Sequence, residues 1–189
     1  PVNSMGDFLA YTRANPGKVN YAAPGPGSPL HVAMELLKQQ AGLNMVGVPY
    51  KGGADAINDL LSGQIHAMFL DIASAQAQLK GGRLKALAIA SDKRRPAFPD
   101  LPTVIESGVP GLEVYAWQGF VAPAGTPRDV ITRLNSAFAT AMQDSSIKQR
   151  LMEAQVEPLA GTPEEFSRHM AQETTRWERV IRISNISLQ

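Results

Sequence analysis

The chain has 189 residues and no cysteine, and its 18 lysine and arginine residues almost balance its 17 aspartate and glutamate residues. The missing thiols exclude disulfides, thiolate metal sites and cysteine nucleophiles. A formal charge of +1 provides no overall field that would attract nucleic acid or a membrane surface. No apolar run reaches the ~20 residues needed to cross a bilayer. The length allows one large domain or two smaller lobes.

A helix signal stands at the very start of the sequence, in "PVNSMGDFLA". Ser4 is expected to cap the helix, with Asp7 completing a capping box from the third helical position. These opening residues include neither a basic segment nor an apolar stretch. If the protein is exported, we expect its signal to lie outside this sequence.

Short apolar runs alternate with helical patterns between residues 19 and 91. The apolar runs predict strands at 19–23, 45–49, 66–70 and 84–90. Helices are predicted after the first three of them, over about 30–41, up to about residue 63, and over 73–79. Gly42 and Gly63 are the expected stops of the first two helices. This alternation favours strand–helix–strand units in a parallel sheet.

Residues 92–112 contain four prolines and a basic cluster, and they predict a surface connection with a short helix at 103–107. The basic cluster is interpreted as a solvated corner, because no aromatic residues are interleaved with it. Farther along, Thr126 and Thr162 are each predicted to cap a helix, with proline at its first position and an acid at the third to complete a capping box. A shorter helix is expected near 147–154 and a possible strand at 156–159. The aromatic residues expected to lie in the core are Tyr115, Trp117 and Trp177.

Three loops are expected to meet at the carboxyl edge of the sheet, where open α/β sheets bind ligands. They span residues 23–29, 49–56 and 71–75. In the first loop, glycines allow close backbone approach, Ser28 can cap the next helix and Pro29 suits its first turn. Free N–H groups at such a helix start would form an anion seat. The alternative is a tight turn with a good cap and no ligand.

The other two loops add polar groups at the same edge. Gly52 and Gly53 again lead into a helix, with Tyr50 and Lys51 beside them. Two helix starts directed at one point indicate an acidic ligand. Asp71 follows the third strand candidate, where it either caps the next helix or accepts hydrogen bonds from a ligand group or a bridging water.

Other kinds of site fit the sequence less well. A dinucleotide loop needs glycine where this chain has Leu30, and no Walker motif is present. There is no G-x-S-x-G or H-E-x-x-H pattern, and the histidines lack ligand spacing, so we expect no catalytic residue, metal or cofactor. His31 lines the site or has a packing or capping role, whereas His66 and His169 are interpreted as structural or solvated.

Six segments occur in a specific order: "YAAPGPGSPLH", "VPYKGGADAINDLLSGQIHAMFLD", "GRLKALAIASDKR", "FPDLPTVIESGVPG", "WQGFVAPAGTP" and "GTPEEF". Together they resemble the substrate-binding receptors of tripartite tricarboxylate transporters, the Bug family, over essentially the whole chain. The resemblance implies an α/β, periplasmic-binding-protein-like (type II) fold of two lobes with parallel or mixed sheets. It also implies a periplasmic receptor, not an enzyme, that closes around a small organic mono- or dicarboxylate and delivers it to a membrane permease.

The resemblance further implies a domain organisation and a site. Residues 1–115 would form the second lobe and 116–189 the C-terminal part of the first. The family has a long segment before the point where this chain starts, so the first lobe and half of the cleft are expected to be incomplete. The expected ligand-binding residues are Gly25, Gly27, Ser28, His31, Tyr50, Lys51, Gly52, Gly53, Ala54 and Asp71.

One departure from the family pattern concerns the identity of the ligand. Ala23 stands where family members often have serine or threonine, so fewer hydroxyl contacts are expected. Two other functions stay open at this point. One is the effector-sensing domain of a transcriptional regulator with the same two-lobed architecture, and the other is a hydrolase or transferase with an unrecognised site.

Overall fold

The computed structural model describes residues 2–154 and 156–186. The chain divides into two compact units, one formed by Pro1–Ala116 with Arg179–Gln189 and the other by Trp117–Glu178. Within the described residues, every helix is either too short or too polar to cross a membrane.

The first unit contains the strand–helix alternation that the sequence predicts. Its elements are α1 Met5–Ala14, β1 Asn20–Pro24, α2 Pro29–Ala41, β2 Val46–Tyr50, α3 Gly53–Ser62 and α4 Ile72–Lys80. The first two predicted strands and the helices after them are confirmed to within a few residues.

Strand β1 is the middle of three parallel segments. On one side it pairs with β2, in a register that places Tyr21 opposite Gly47. On its other side an isolated parallel bridge joins Tyr21 to Ala67. Two backbone bonds form that bridge, His66 N–H to the Asn20 carbonyl at 2.9 Å and Ala22 N–H to the Ala67 carbonyl at 3.0 Å. The carboxyl ends of the three segments therefore point to one edge.

The predictions of strands at 66–70 and 84–90 are wrong, since each run forms only a bridge. The first pairs at Ala67 alone, and the second pairs at Ile89 with Thr103. An apolar run indicates burial, but a strand also needs a neighbour that continues the hydrogen-bond ladder. The short helix predicted at 103–107 is also absent. A single turn takes its place, held by the Glu106 N–H donating to the Thr103 hydroxyl at 3.0 Å.

Helix boundaries in the first unit follow the capping residues. Ser4 and Asp7 form the predicted capping box of α1. Ser28 is the N-cap of α2, with Pro29 as the first helical residue. Gly42 and Gly63 end α2 and α3 in the left-handed conformation, with φ of 63° and 80°. Only glycine adopts that conformation without strain, which explains why the helices stop there.

The core of the first unit lies between β1 and the apolar face of α2. Tyr21 and Ala22 of β1 are almost completely buried, as are Ala33 and Met34 of α2. Helix α2 also buries an acidic residue, Glu35. Strand β2 is less covered, since two of its residues are partly buried and the rest exposed.

The second unit is mainly helical. It contains α5 Arg128–Ala141, α6 Ser145–Glu153 and most of α7 Pro163–Ile183. The capping box predicted at Thr162 is confirmed, because its hydroxyl accepts the Glu165 N–H at 3.1 Å. The cap predicted at Thr126 is wrong. Its hydroxyl donates to the Pro123 carbonyl, and α5 begins one residue later than expected, with Pro127 as N-cap.

Two further expectations for this part of the chain are not met. Residues 156–159 form no strand. Tyr115 and Trp117 are 39% and 40% exposed, and Trp177 is only partly buried, so the prediction of core aromatics is wrong. Helix α5 has no buried residue, and Phe120 stacks on Phe138 with their ring centroids 4.3 Å apart.

Candidate ligand-binding loops

The first two predicted loops meet in the structure. The Gly25 N–H, directly after β1, donates to the carbonyl of Tyr50, the last residue of β2, at 2.7 Å. Gly25 and Gly27 have φ of 66° and 76°. A residue with a Cβ rarely adopts these angles, so glycine is what lets the chain turn directly from β1 into α2. The loops 23–29 and 49–56 thus lie side by side at the carboxyl edge.

The N–H groups of Gly27 and Ser28 already have acceptors within the segment 24–31, so they are not the free donors that the sequence leads us to expect. The Ser28 N–H donates to the Gly25 carbonyl at 2.8 Å. The Gly27 N–H donates to Nδ1 of His31 at 3.1 Å. The Ser28 hydroxyl accepts the His31 N–H at 3.3 Å and donates to the Pro24 carbonyl. A ligand that uses the Gly27 amide therefore has to replace an acceptor that is present.

His31 is partly buried over the side chain of Tyr21, with the ring centroids 6.4 Å apart. Burial lowers its pKa below the ordinary value, and Lys38 acts in the same direction while Glu35 opposes both. A neutral imidazole has one nitrogen that accepts and one that donates. Because Nδ1 accepts from Gly27, the proton is assigned to Nε2.

The start of α3 differs from that of α2, because its N–H groups are open. Gly52 is the N-cap and has no side chain with which to cap the helix. In the part of the chain that the structure describes, no acceptor is recorded for the N–H groups of Gly53, Ala54 and Asp55. A Cβ placed on Gly53 would meet no atom within 4 Å. The first turn of α3 therefore presents unpaired amides towards open space.

Tyr50 and Lys51 stand directly before this helix. The Tyr50 hydroxyl donates to the Asp59 carboxylate at 2.8 Å, which ties the end of β2 to the body of α3. Burial of the hydroxyl is the main cause that raises the pKa of Tyr50, and the bond to Asp59 adds to it. Its proton is thus engaged, and its oxygen still has accepting capacity. Lys51 is exposed and precedes the N-cap residue Gly52 directly.

Asp71 caps α4, which is the simpler of the two roles that the sequence leaves open for it. Its carboxylate accepts the Ser74 N–H at 2.8 Å. The residue is exposed, and a carboxylate has accepting capacity left after one such bond. The other two histidines have structural contacts of their own. Nδ1 of His66 accepts the Asn20 N–H at 3.0 Å, and His169 packs edge-on against Trp117 at 5.1 Å.

Two hollows in the surface are lined by residues that do not belong to the three loops. One of about 370 Å³ is lined by residues 97–101, and another of about 230 Å³ lies between α5 and the start of α7. Among residues 2–154 and 156–186, His, Asp and Glu side chains form no group of three or more that could hold a metal ion.

Sequence reasoning missed two acidic residues that shape the loops. Asp59 receives the Tyr50 hydroxyl, and Glu35 receives the Tyr21 hydroxyl together with the Lys38 ammonium at 2.6 Å. The spacing of Glu35 and Lys38, three residues apart, is a helical ion-pair signal that was visible in the sequence. No comparable signal linked Tyr50 to Asp59, because that contact depends on how α3 folds back against β2.

Comparison with known proteins agrees with this architecture. Residues 1–186 match the model of the tripartite tricarboxylate transporter family receptor. A relative from Pseudomonas sp. (strain P51), described as the UPF0065 protein in the tcbD-tcbE intergenic region, is 35% identical over 175 residues. That match covers 92% of this chain and 52% of the relative, so the chain spans about half of the relative's length.

Two solved structures have the same fold. The R. palustris protein Rpa4515 with adipate is 35% identical, with a TM-score of 0.83 over 99% of this chain and 62% of that one. The periplasmic binding protein BugD is 32% identical, with a TM-score of 0.79 over 100% of this chain and 64% of that one. The described units therefore have the α/β fold of periplasmic binding proteins.

Proposed function

The chain belongs to the family of tripartite tricarboxylate transporter receptors, and on that premise we propose that it is part of a periplasmic receptor for a small organic carboxylate. The family match over residues 1–186 supports this role. The related Rpa4515 structure, which contains adipate, supports the ligand class. In this proposal the receptor makes and breaks no bond in its ligand and delivers it to a membrane permease.

The open start of α3 is the observation on which the proposal rests. Its first-turn N–H groups have no recorded partner within the described residues, and they lie at the positive end of the helix dipole. A carboxylate oxygen accepts such hydrogen bonds and is favoured by the dipole. The exposed ammonium of Lys51 adds attraction for an anion at the same place.

The remaining predicted residues have secondary roles in this proposal. The side chains of Ser28 and Tyr50 hold the two loops in shape, since Ser28 is bonded to Pro24 of its own loop and Tyr50 to Asp59 in the body of α3. The free accepting capacity of Asp71 is suited to a bridging water or to a ligand hydroxyl. The full set proposed to line the site is Gly25, Gly27, Ser28, His31, Tyr50, Lys51, Gly52, Gly53, Ala54 and Asp71.

We further propose that residues 1–115 correspond to one lobe of the receptor and 116–189 to part of the other. Carboxylate binding would then favour a closed arrangement of the lobes over an open one. The end of α7 and the residue after it belong to the first unit. There the Gln39 amide donates to the hydroxyl of Ser184, the residue directly after α7, at 2.7 Å.

Replacing Gly53 by valine tests the proposal. The space around Gly53 is open and its φ is not positive, so the fold tolerates a side chain there. The two methyl groups would stand where the carboxylate approaches the amides, and we expect calorimetry with adipate and a panel of other carboxylates to show no binding. Gly6→Val is the matched control, because Gly6 also lies in the first turn of a helix, where an added Cβ would make only an ordinary contact, 3.7 Å from the Ser4 hydroxyl oxygen.

The experiment uses the complete protein that carries this sequence. Both variants should unfold at similar temperatures, and Gly6→Val should bind as the unmodified protein does. If Gly53→Val retained the original carboxylate affinity, the start of α3 would not be the seat.

A further inference from the structure

We propose that His31 acts as a built-in competitor of the ligand, because its imidazole accepts the Gly27 amide that a bound carboxylate would use. This inference rests on the proposed carboxylate function and concerns the same site. It assigns to His31 control over affinity and over the pH dependence of binding, in place of a simple ligand contact.

The geometry of the first loop carries the proposal. The Gly27 N–H points at Nδ1 of His31, with 3.1 Å between the two nitrogens. His31 is held in this position by its own helix, since its N–H is bonded to the Ser28 hydroxyl at 3.3 Å. Ser28 is bonded in turn to Pro24 and Gly25. The imidazole thus closes a small ring of hydrogen bonds that leaves no donor of the Gly27–Ser28 segment free.

The two helix starts at this edge are therefore not equivalent. At α3 the first-turn amides have no recorded acceptor within the described residues, whereas directly before α2 the Gly27 amide already has one in His31. A carboxylate that bridges both loops must displace Nδ1 of His31 from Gly27. Binding then exchanges one hydrogen bond for another at this amide and gains less than it would at an unoccupied donor.

Protonation of His31 removes this competition. An imidazolium has a hydrogen on both nitrogens, so Nδ1 can no longer accept the Gly27 N–H. The positive charge also attracts an anion at the same place. The titratable and charged groups recorded around His31 are Glu35 and Lys38 on its own helix and Tyr21 on β1. Because burial lowers its pKa, the release is expected below the range in which a free histidine titrates.

Two substitutions separate a competitor from a ligand contact. His31→Ala removes the acceptor, so Gly27 is free at every pH. His31→Asn keeps an acceptor atom in the δ position but does not titrate. At pH 8 we expect His31→Ala to bind adipate about three- to tenfold more tightly than the unmodified protein, and His31→Asn to bind about equally. If His31 competes with the ligand, His31→Ala should bind more tightly, whereas if His31 contacts the ligand, His31→Ala should bind more weakly.

The pH profile gives a second readout. As the pH falls from 8 through the pKa of His31 in the folded protein, the affinity of the unmodified protein should move from the level of His31→Asn to at least that of His31→Ala. Protonation of the ligand itself affects all three proteins equally and cancels in the ratios. Weaker binding by His31→Ala at pH 8, or ratios that do not change with pH, would overturn the proposal.

The last measurement distinguishes this proposal from the proposed function. In the complete protein without ligand, the NMR shift of the Gly27 amide proton should titrate together with the His31 imidazole and should not titrate in His31→Asn. If that coupled titration is seen while no carboxylate binds any variant, the proposed function fails and the hydrogen-bond switch stands. If the Gly27 amide does not follow His31, the switch is wrong whatever the ligand.

Discussion

Replacing Gly47 by alanine should destabilise the protein even though Gly47 is exposed on β2. A Cβ at this position would lie 2.6 Å from the hydroxyl oxygen of Tyr21 and 2.9 Å from the ring carbon that carries it. Tyr21 is 1% exposed and cannot move away without disturbing the core. Its hydroxyl donates to the buried Glu35 carboxylate, so a displaced ring also breaks that bond.

Two effects set the size of the loss. Overpacking of a filled core costs about 1–3 kcal/mol, and a hydrogen bond to a charged group contributes about 1.5–3 kcal/mol. Since the ring can relieve part of the clash by giving up the bond, we expect the free energy of unfolding to fall by about 2–4 kcal/mol in urea titrations. Tyr21→Phe lacks the atom in closest contact, so Gly47→Ala should cost about 1–2 kcal/mol less in that background. Full additivity of the two changes would refute the reasoning.

Three further predictions concern a cap, a buried carboxylate and a close packing contact. Ser28→Ala should lower the free energy of unfolding by about 1 kcal/mol through loss of the α2 cap, while Ser28→Asp should recover most of it. Burial opposes ionisation of Glu35, but hydrogen bonds from Lys38 and Tyr21 outweigh it and hold its pKa below the ordinary value. Ionised Glu35 therefore stabilises the fold at pH values above the pKa that it has in the unfolded chain, and this stabilisation is lost as the pH falls through its pKa in the folded protein. In Glu35→Gln the free energy of unfolding should consequently depend less on pH below about pH 4.5. Gly119→Ala should destabilise the second unit, because its Cβ would clash with the ring of Phe166, and thermal unfolding would show this as a lower midpoint.

The sequence predicts the helices of the first unit well because their signals are local. A cap needs a residue of the right type within three positions, and Ser4, Ser28 and Gly42 satisfy that condition wherever the rest of the chain lies. The same reasoning failed at Thr126, because α5 begins one residue later than expected and has Pro127 as its N-cap. A cap is thus predictable only where the helix begins at the residue that the pattern indicates.

Strand prediction requires knowing which backbone neighbour a segment will pair with, and a local sequence pattern does not contain that information. The runs 66–70 and 84–90 are apolar enough to be strands, yet each finds a backbone neighbour at only one residue. The prediction that the aromatic residues are buried in the core failed for a similar reason. Trp117 packs against Phe166 and His169 and still leaves much of its surface exposed, because contact with a few side chains does not make a core.

At the candidate site the sequence located the loops but not the state of their donors. Residue type and order were enough to bring 23–29 and 49–56 to one edge, and the bond from Gly25 to Tyr50 shows that they meet there. Whether the Gly27 amide is free depends on the side chain of His31, four residues later in the chain. His31 was named as a lining residue from its position in the first turn, but its bond to Gly27 follows from a rotamer that no sequence pattern reveals.

The glycines of the two loops have different physical tasks, and this difference decides what the site can tolerate. Gly25 and Gly27 are needed for positive φ, so side chains there strain the backbone and disturb the fold before they affect a ligand. Gly52 and Gly53 have ordinary φ and open space around them, so side chains there leave the fold intact and occupy the approach to the amides. A site that uses both loops is therefore shaped by the first pair of glycines and kept accessible by the second. Changes in ligand preference are expected to arise at 52 and 53 rather than at 25 and 27, because at 52 and 53 the site can change without straining the backbone.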